Sequence, residues 1–476
     1  MAIRPTQNAT FRQIDGGLLA NLARLVKAQS QVATGRRIGK PSDDAVGASR
    51  ALGYARHIAG TERHGAASAS GSDRLNFSAS RLEEASGELA DARALLVQGL
   101  NGTLNEGDRK SLAAQVRILR ERLLEAANSR DADGYLFGGT ATAHEPFTSS
   151  KVNGRLRASY RGNGETPELL VGQGLRVETG YAGDAIFAAV QRSGTVYSSS
   201  TGLAAGAGGD SGTGYVTLQL RHDGTSGAPG SGLALAAGAG DTLLGEHTLT
   251  VDAVAGTVQL DNGPALSIPE PGAPGASSFA VTGDQGAVLQ LDVTGYDGTS
   301  SSATVAGAGS ISFDGLAWSA LDFVSTDTQL VDPATGSVLH VDQTGIRRAG
   351  SELVQFGGAV NTFDTLQGLA DDLENLDGLS NSEVQERLGM WLDELDRNAE
   401  NAVQALGVVG GRGARLASIR ERLGDERTQF LGARSTLVDT DYSEAVLEMT
   451  RAEQSLQLAQ ATAMRLFSNS LLNFLR

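Results

Sequence analysis

Apolar residues recur at steps of three and four at both ends of the chain. Late in the sequence the stripe runs Tyr442, Ala445, Met449, Ala452, Leu456, Ala459, Ala463, Leu466, which is the seam spacing of a coiled coil. The stretch from Asp441 to Arg476 contains no Gly or Pro and is rich in Ala, Leu, Gln and Glu. It predicts one helix of roughly 50 Å, with Asp439, Thr440 and Asp441 available to cap its start. Early in the sequence Phe11, Ile14, Leu18, Leu22, Leu25 and Val32 form a second stripe, with Gln29 at the remaining seam position and Gly35 at the helix stop. Nothing in the chain after the last helix covers its seam, so its partner is an earlier segment, another subunit, or both. Leu18, Leu22, Leu25, Val32, Met449, Leu456, Leu466 and Phe467 are the candidate assembly residues. The same stripes also suit the ordinary core of a helical bundle.

The middle of the chain changes period twice. Pro41 ends the first helical arm, and Ser42 or Asp43 is placed to cap the next helix. No proline follows until Pro146. Leu75, Leu82, Leu89 and Leu96 stand at sevenfold spacing, and Leu112, Val116, Leu119 and Leu123 resume the pattern after a break around Leu100–Gly107. Two long helices joined by a turn follow from this. Tyr135 to Ile186 mixes short β-prone runs with glycines, which predicts hairpins. From about Thr195 to Gly345 short alternating runs take over, at Tyr215–Arg221, His247–Val251, Thr257–Leu260, Ala287–Val293 and Ser310–Phe313. Gly, Asn, Asp and Pro cluster between them, and Asp261-Asn262-Gly263 is a turn signal. This predicts an all-β domain, sandwich-like or a partial barrel. Helical spacing returns near Thr362, with Val384, Leu388, Trp391, Leu395, Ala402 and Leu406 on one stripe. Gly410, Gly411 and Gly413 then interrupt it or mark a turn. The expected fold class is multidomain α+β, an elongated antiparallel helical bundle or coiled coil from both termini with an inserted all-β domain. Its expected parts are an N-terminal assembly helix (1–45), a helical core with hairpins (46–190), the β insert (191–349), a returning helical core (350–440) and a C-terminal assembly helix (441–476).

Composition narrows the function. The 476 residues carry a net charge of −16, which argues against nucleic acid or an anionic membrane as a partner. There is no cysteine, so disulfide, iron–sulfur and thiolate zinc sites are excluded. No signal peptide precedes the first stripe, and no stretch is apolar for long enough to span a bilayer. These signs alone place the chain in the cytoplasm unless export uses an uncleaved signal. Gly208–Gly212 reads Gly-Gly-Asp-Ser-Gly, the order found in the nucleophile loop of trypsin-like proteases, but that chemistry needs a His base with an Asp behind it. His57 lies in a helical segment without that context. The six histidines show no paired ligand spacing, and Leu136–Gly139 lacks the Lys-Ser/Thr of a phosphate cradle. No enzyme site, metal site or cofactor is expected.

Three blocks resemble a known family. Gln31–Arg50, QVATGRRIGKPSDDAVGASR, is similar to the N-terminal block of flagellins and flagellin-related proteins. Its Lys40–Asp44 version is more like the hook–filament junction members, the third hook-associated proteins, although Ala45 stands where these often carry a second Pro. Asn128–Phe147, with its Tyr-Leu-Phe-Gly-Gly core, and Asp439–Leu475 resemble the matching later blocks of that family. The β insert is not covered. The resemblance implies export through the flagellar type III apparatus by an uncleaved signal, with a dedicated chaperone holding the C-terminal region. It implies termini that fold together in a tube wall of the extracellular flagellum and a role linking hook to filament. The implied partners are further copies of the chain in a ring, a hook-side hook-associated protein and flagellin. A divergent flagellin, or a flagellar protein whose β insert is an adhesin, are the alternatives.

Overall fold

The computed structural model describes residues 7–152, 155–188, 192–236 and 240–474. The fold is α+β: helices from both ends of the chain, with an antiparallel β domain inserted between them. The helices are α1 (Gln7–Thr34), α2 (Ala45–Gly99), α3 (Glu106–Ala127), a single turn α4 (Asp184–Phe187), α5 (Thr362–Glu374), α6 (Asn381–Val438) and α7 (Tyr442–Phe474). The chain divides into two compact units. One comprises Met1–Ser72, Leu169–Val177 and Ala414–Arg476, the other Asp73–Glu168 and Glu178–Gly413. Both boundaries on the long helices fall inside continuous elements, at Ser72 of α2 and Gly413 of α6.

In the second unit the sevenfold pattern is core. Leu75, Leu82, Leu89 and Leu96 of α2 are buried, as are Leu112, Val116 and Leu123 of α3 and Leu388, Trp391 and Leu395 of α6. The glycines Gly410, Gly411 and Gly413 neither break nor turn the chain, because α6 runs through them. A glycine costs a helix about 1 kcal/mol relative to alanine, and Val409 and Leu416 on either side are fully buried, which outweighs that cost.

Helix α5 is capped by Asn361, whose side chain accepts from the Asp364 amide, and it ends on Asn375 in the left-handed conformation at φ 57°. It is buried from Thr362 to Leu373 although it carries Asp364, Asp371 and Asp372. Such a helix is stable only if each acid finds a partner. Arg387 of α6, itself with no exposed surface, reaches Asp377 at 2.7 Å and Asp372 at 3.4 Å. Its second terminal nitrogen donates to the Ser351 carbonyl at 2.9 Å. The indole Nε1 of Trp391 donates to Asp372 at 2.7 Å, and Arg155 pairs with Asp377 at 2.9 Å. Burial pushes the Asp364, Asp371 and Asp372 carboxyls above the usual aspartate range. Burial acts the same way on Asp377, but Arg155 and Arg387 outweigh it and hold that carboxyl below the range.

The insert is built on one large antiparallel sheet. Its strand order is Leu266–Ser267, Thr257–Leu260, Gly245–Asp252, Ser301–Ser312, Tyr215–Gly227, Gly350–Phe356, Thr195–Tyr197, with Ser319–Ala320 beside Ser301–Ser312. Two three-stranded sheets accompany it. One orders Ala234–Leu235, Val288–Asp292, Phe279–Thr282, the other Thr328–Val331, Val338–Asp342, Ala204–Ala205. The strand Gly350–Phe356, which the spacing groups with the returning helices, is an interior strand of the large sheet. The Asp261 turn joins paired strands as its sequence predicts.

Candidate assembly surface

Within the first unit α1 packs lengthwise on α7. On α7 the seam is the one the spacing predicts: Ala445 and Ala463 are buried, and Met449, Ala452, Leu456 and Ala459 are half-buried. Tyr442, expected at the head of that seam, is exposed. Leu466 and Phe467 lie outside the residues whose side chains are described. On α1 the half-buried positions with described side chains are Ile14, Leu18, Asn21, Leu25, Gln31 and Val32, with Ala28 buried. Leu22 and Gln29 are therefore not in this seam; Asn21 and Ala28 take those places. The reason is the width of the stripe. Apolar residues at 18, 19, 22, 25 and 26 cover a broad face, and one partner helix covers only one flank of it. Leu19, Leu22 and Val26 form the other flank, exposed by 60%, 46% and 56%. Leu447, Leu458 and Met464 of α7 are exposed as well. A search for one seam per helix passes over Leu19 and Val26, although their step from Leu22 is again three and four.

The two ends are clasped where α1 stops. Gly35, at φ 64°, carries the left-handed turn and its amide returns to the Gln31 carbonyl. The next residues cross to the junction between α6 and α7. The Arg37 amide donates to the Val438 carbonyl at 2.7 Å, the Arg37 guanidinium donates to the Leu437 carbonyl at 2.7 Å, and the Thr440 amide donates to the Gly35 carbonyl at 2.9 Å. The backbones of Arg36 and Asp439 form a single antiparallel β-bridge. The acids after Pro41 divide the work differently from the expected cap. Asp43 accepts the Gly39 and Lys40 amides and closes the turn, and Asp44 accepts the Gly47 amide at the start of α2. The amide of Lys40 holds the Asp43 carboxyl below its ordinary range, and the amide of Gly47 does the same for Asp44. A Cβ on Gly47 would lie 2.7 Å from the Ile38 Cδ1, so the glycine lets Ile38 tuck against the new helix. At the start of α7, Asp441 accepts the Ser443 and Glu444 amides.

Further along the same unit, Arg427 pairs with Glu62 at 2.8 Å, and His57 stacks on Phe430 with ring centres 5.0 Å apart. The Asp210 of the protease-like run spends its carboxylate on the His340 amide and the Thr195 hydroxyl. Among the described residues no group of three or more His, Cys, Asp or Glu is placed to hold a metal ion, and no helix is long and apolar enough to cross a membrane.

The N-terminal helical region has a known counterpart. Residues 7–142 match the bacterial flagellin N-terminal helical region. The chain carries a flagellin-type N-terminal region. Homologous curated proteins are named flagellar hook-associated protein 3. The one from Escherichia coli is 30% identical over 178 residues, 37% of this chain and 54% of that protein. The one from Salmonella typhimurium is 27% identical over 186 residues, 39% of this chain and 57% of that protein. The chain thus spans about half the length of the curated relatives it matches. Solved structures similar to it include FlgL of Xanthomonas campestris, at 18% identity and TM-score 0.43, covering 80% of this chain and 99% of that one. The flagellar junction protein FlgL of Legionella pneumophila is 15% identical at TM-score 0.42, covering 83% and 100%.

Proposed function

We propose that this chain is a structural protein of the bacterial flagellum, not an enzyme, that joins hook to filament in the extracellular flagellum. It assembles through its terminal helices after type III export, with copies of itself forming a ring between a hook-side hook-associated protein and flagellin. A chaperone holds the α7 region before export. The homologues named flagellar hook-associated protein 3 support the location. The observation that carries the assembly is the open flank of Leu19, Leu22 and Val26 beside the α1–α7 seam. An apolar ridge of this kind on a flagellin-type helix marks an interaction surface, and burying each side chain there contributes about 1.5–3 kcal/mol.

The test is the double variant Leu22→Asp with Val26→Asp, supplied to a strain lacking the gene. The purified monomer should keep its helix content and melting temperature, because both side chains face water. The cells should bear hooks without filaments and shed flagellin into the medium. Filaments of normal number would count against the proposal. A second reading, a divergent flagellin, draws on the match to the flagellin N-terminal region. The deletion strain separates the two: loss of a junction protein leaves flagellin shed as monomer, and loss of the flagellin itself leaves none to shed.

A further inference from the structure

The two halves of the β insert repeat each other. Val-Leu-x-x-Asp-x-Thr-Gly stands at 288–295 and again at 338–345. In both, the Asp accepts the Thr amide and hydroxyl, at Asp292–Thr294 and Asp342–Thr344. Both following glycines lie against a glycine in the turn before an earlier strand, so closely that a side chain is excluded. A Cβ on Gly232 would sit 2.0 Å from the Gly295 oxygen, and one on Gly202 would sit 2.0 Å from the Gly345 oxygen. Several surrounding bonds match as well. Asp297 N donates to Ser231 O at 3.1 Å, and Arg347 N to Thr201 O at 3.0 Å. Gln290 N donates to the Asp241 carboxylate at 2.6 Å, and His340 N to the Asp210 carboxylate at 2.7 Å.

The strand registers agree as well. Phe279↔Leu291 corresponds to Thr328↔Val341, and Leu235↔Leu291 to Ala205↔Val341. In the large sheet Leu249↔Ala303 corresponds to Leu218↔Glu352, and Val251↔Val258 to Leu220↔Ile311. Each set encloses its own core. Leu233, Leu249, Val281 and Leu289 lie in one, and their counterparts Leu203, Leu218, Leu330 and Leu339 lie in the other. Antiparallel sheets share general features, but common topology does not dictate equal registers together with the same Asp, Thr and Gly in the same bonds.

The copies differ at one hairpin. In the first, Asp252 and Thr257 are cross-strand partners joined by Ala253–Gly256. In the second, the equivalent partners are Arg221 and Ser310, and the interval between them contains the whole first copy. We infer that the insert is one β module used twice, the inner copy set into a hairpin turn of the outer one, each folding on its own core. The side chains have diverged accordingly. On the sheet face where the outer copy places buried Tyr215 against Trp391 of α6, the inner copy has exposed Glu246. The outer copy is the attached one and the inner copy the added one.

Two experiments on the full chain decide this. Replacing residues 221–309 by Asp-Ala-Val-Ala-Gly gives the outer hairpin the inner copy's own turn. Of the chain's two tryptophans, Trp318 loses the Arg221 guanidinium that lies over its ring, whereas Trp391 stays buried against Tyr215. In a Trp318→Phe background the shortened protein should therefore keep the emission maximum and near-ultraviolet signal that Trp391 has in the uncut chain. A shortened chain with solvent-like tryptophan emission overturns the inference. In the uncut protein, Leu289→Ala should raise amide exchange in the inner strands at least tenfold while leaving Val338–Asp342 and Gly350–Phe356 unchanged, and Leu339→Ala should do so in the outer strands. Exchange that rises alike in both copies with either substitution shows a single β core and overturns it.

Discussion

Arg387 is the residue on which the second unit's buried charges converge. It has no exposed surface, and it spans Asp372 and Asp377 while donating to the Ser351 carbonyl. Removing one partner from such a pair strands the other charge, which costs about 3–5 kcal/mol, so Arg387→Met should lower the melting temperature steeply. The pH dependence has two opposed parts. Asp377 sits below the ordinary value of 3.8 in the folded chain. Its contribution is therefore complete above 3.8 and is lost as pH falls through the lower folded value. Asp364, Asp371 and Asp372 sit above 3.8 and have the reverse sign: the folded chain binds their protons more readily than the unfolded one. Asp377→Asn isolates the first part. Melting curves from pH 6 downwards should show the variant already destabilised at pH 6, with its deficit against wild type shrinking below about 3.8. A constant deficit down to pH 2.5 would mean that Asp377 acts through packing alone. None of this network was legible in the sequence. Its members span Arg155 to Trp391, and polar residues at helical spacing read as a solvated face until α5 is seen to be enclosed.

At the scale of elements, the seam of α7 was readable because small and large apolar residues keep a strict three-four step with no competing stripe. The seam of α1 was only half readable, since its apolar face is wider than one helix can cover and spacing alone does not choose the flank. The glycines of α6 misled for a different reason. Glycine signals a helix stop only when flanking residues do not hold the helix, and here Val409 and Leu416 do. A Cβ on Gly410 or Gly411 would meet nothing within 4 Å, and neither glycine has a positive φ. Gly410→Ala and Gly411→Ala should therefore each stabilise the chain by about 0.5–1 kcal/mol, measured as a rise in denaturation midpoint at unchanged slope. A loss of stability from either would show that the helix relies on a bend at this point.

For the whole molecule, two helical arms around a β insert were legible from period changes, and the nested repeat was not. The inner copy interrupts the outer one at Arg221, so the matching segments are separated by different intervals, and only the Asp-x-Thr-Gly turns stay alike enough to see. The strand Gly350–Phe356 escaped for a related reason. Both of its faces are buried, and its Glu352 is satisfied by Ser198, Ser200 and Thr201, so no alternation marks it. The burial is uneven in a way that predicts behaviour. In the described part of α1 and α7 the fully buried apolar side chains are Ala28, Ala445 and Ala463, whereas the second unit encloses Trp391, Tyr215, Phe137 and Phe363. Segments with little buried apolar area open at low free-energy cost. Limited proteolysis of the monomer should therefore cleave within α1 and α7 first and leave a resistant fragment containing α3, the β insert and α5. Under the proposed assembly neighbours would cover Leu19, Leu22 and Val26, so in assembled material the same sites should be protected. Terminal helices as resistant as the β insert in dilute monomer would mean that the α1–α7 pair is complete without neighbours, and the exposed flank would then need another explanation.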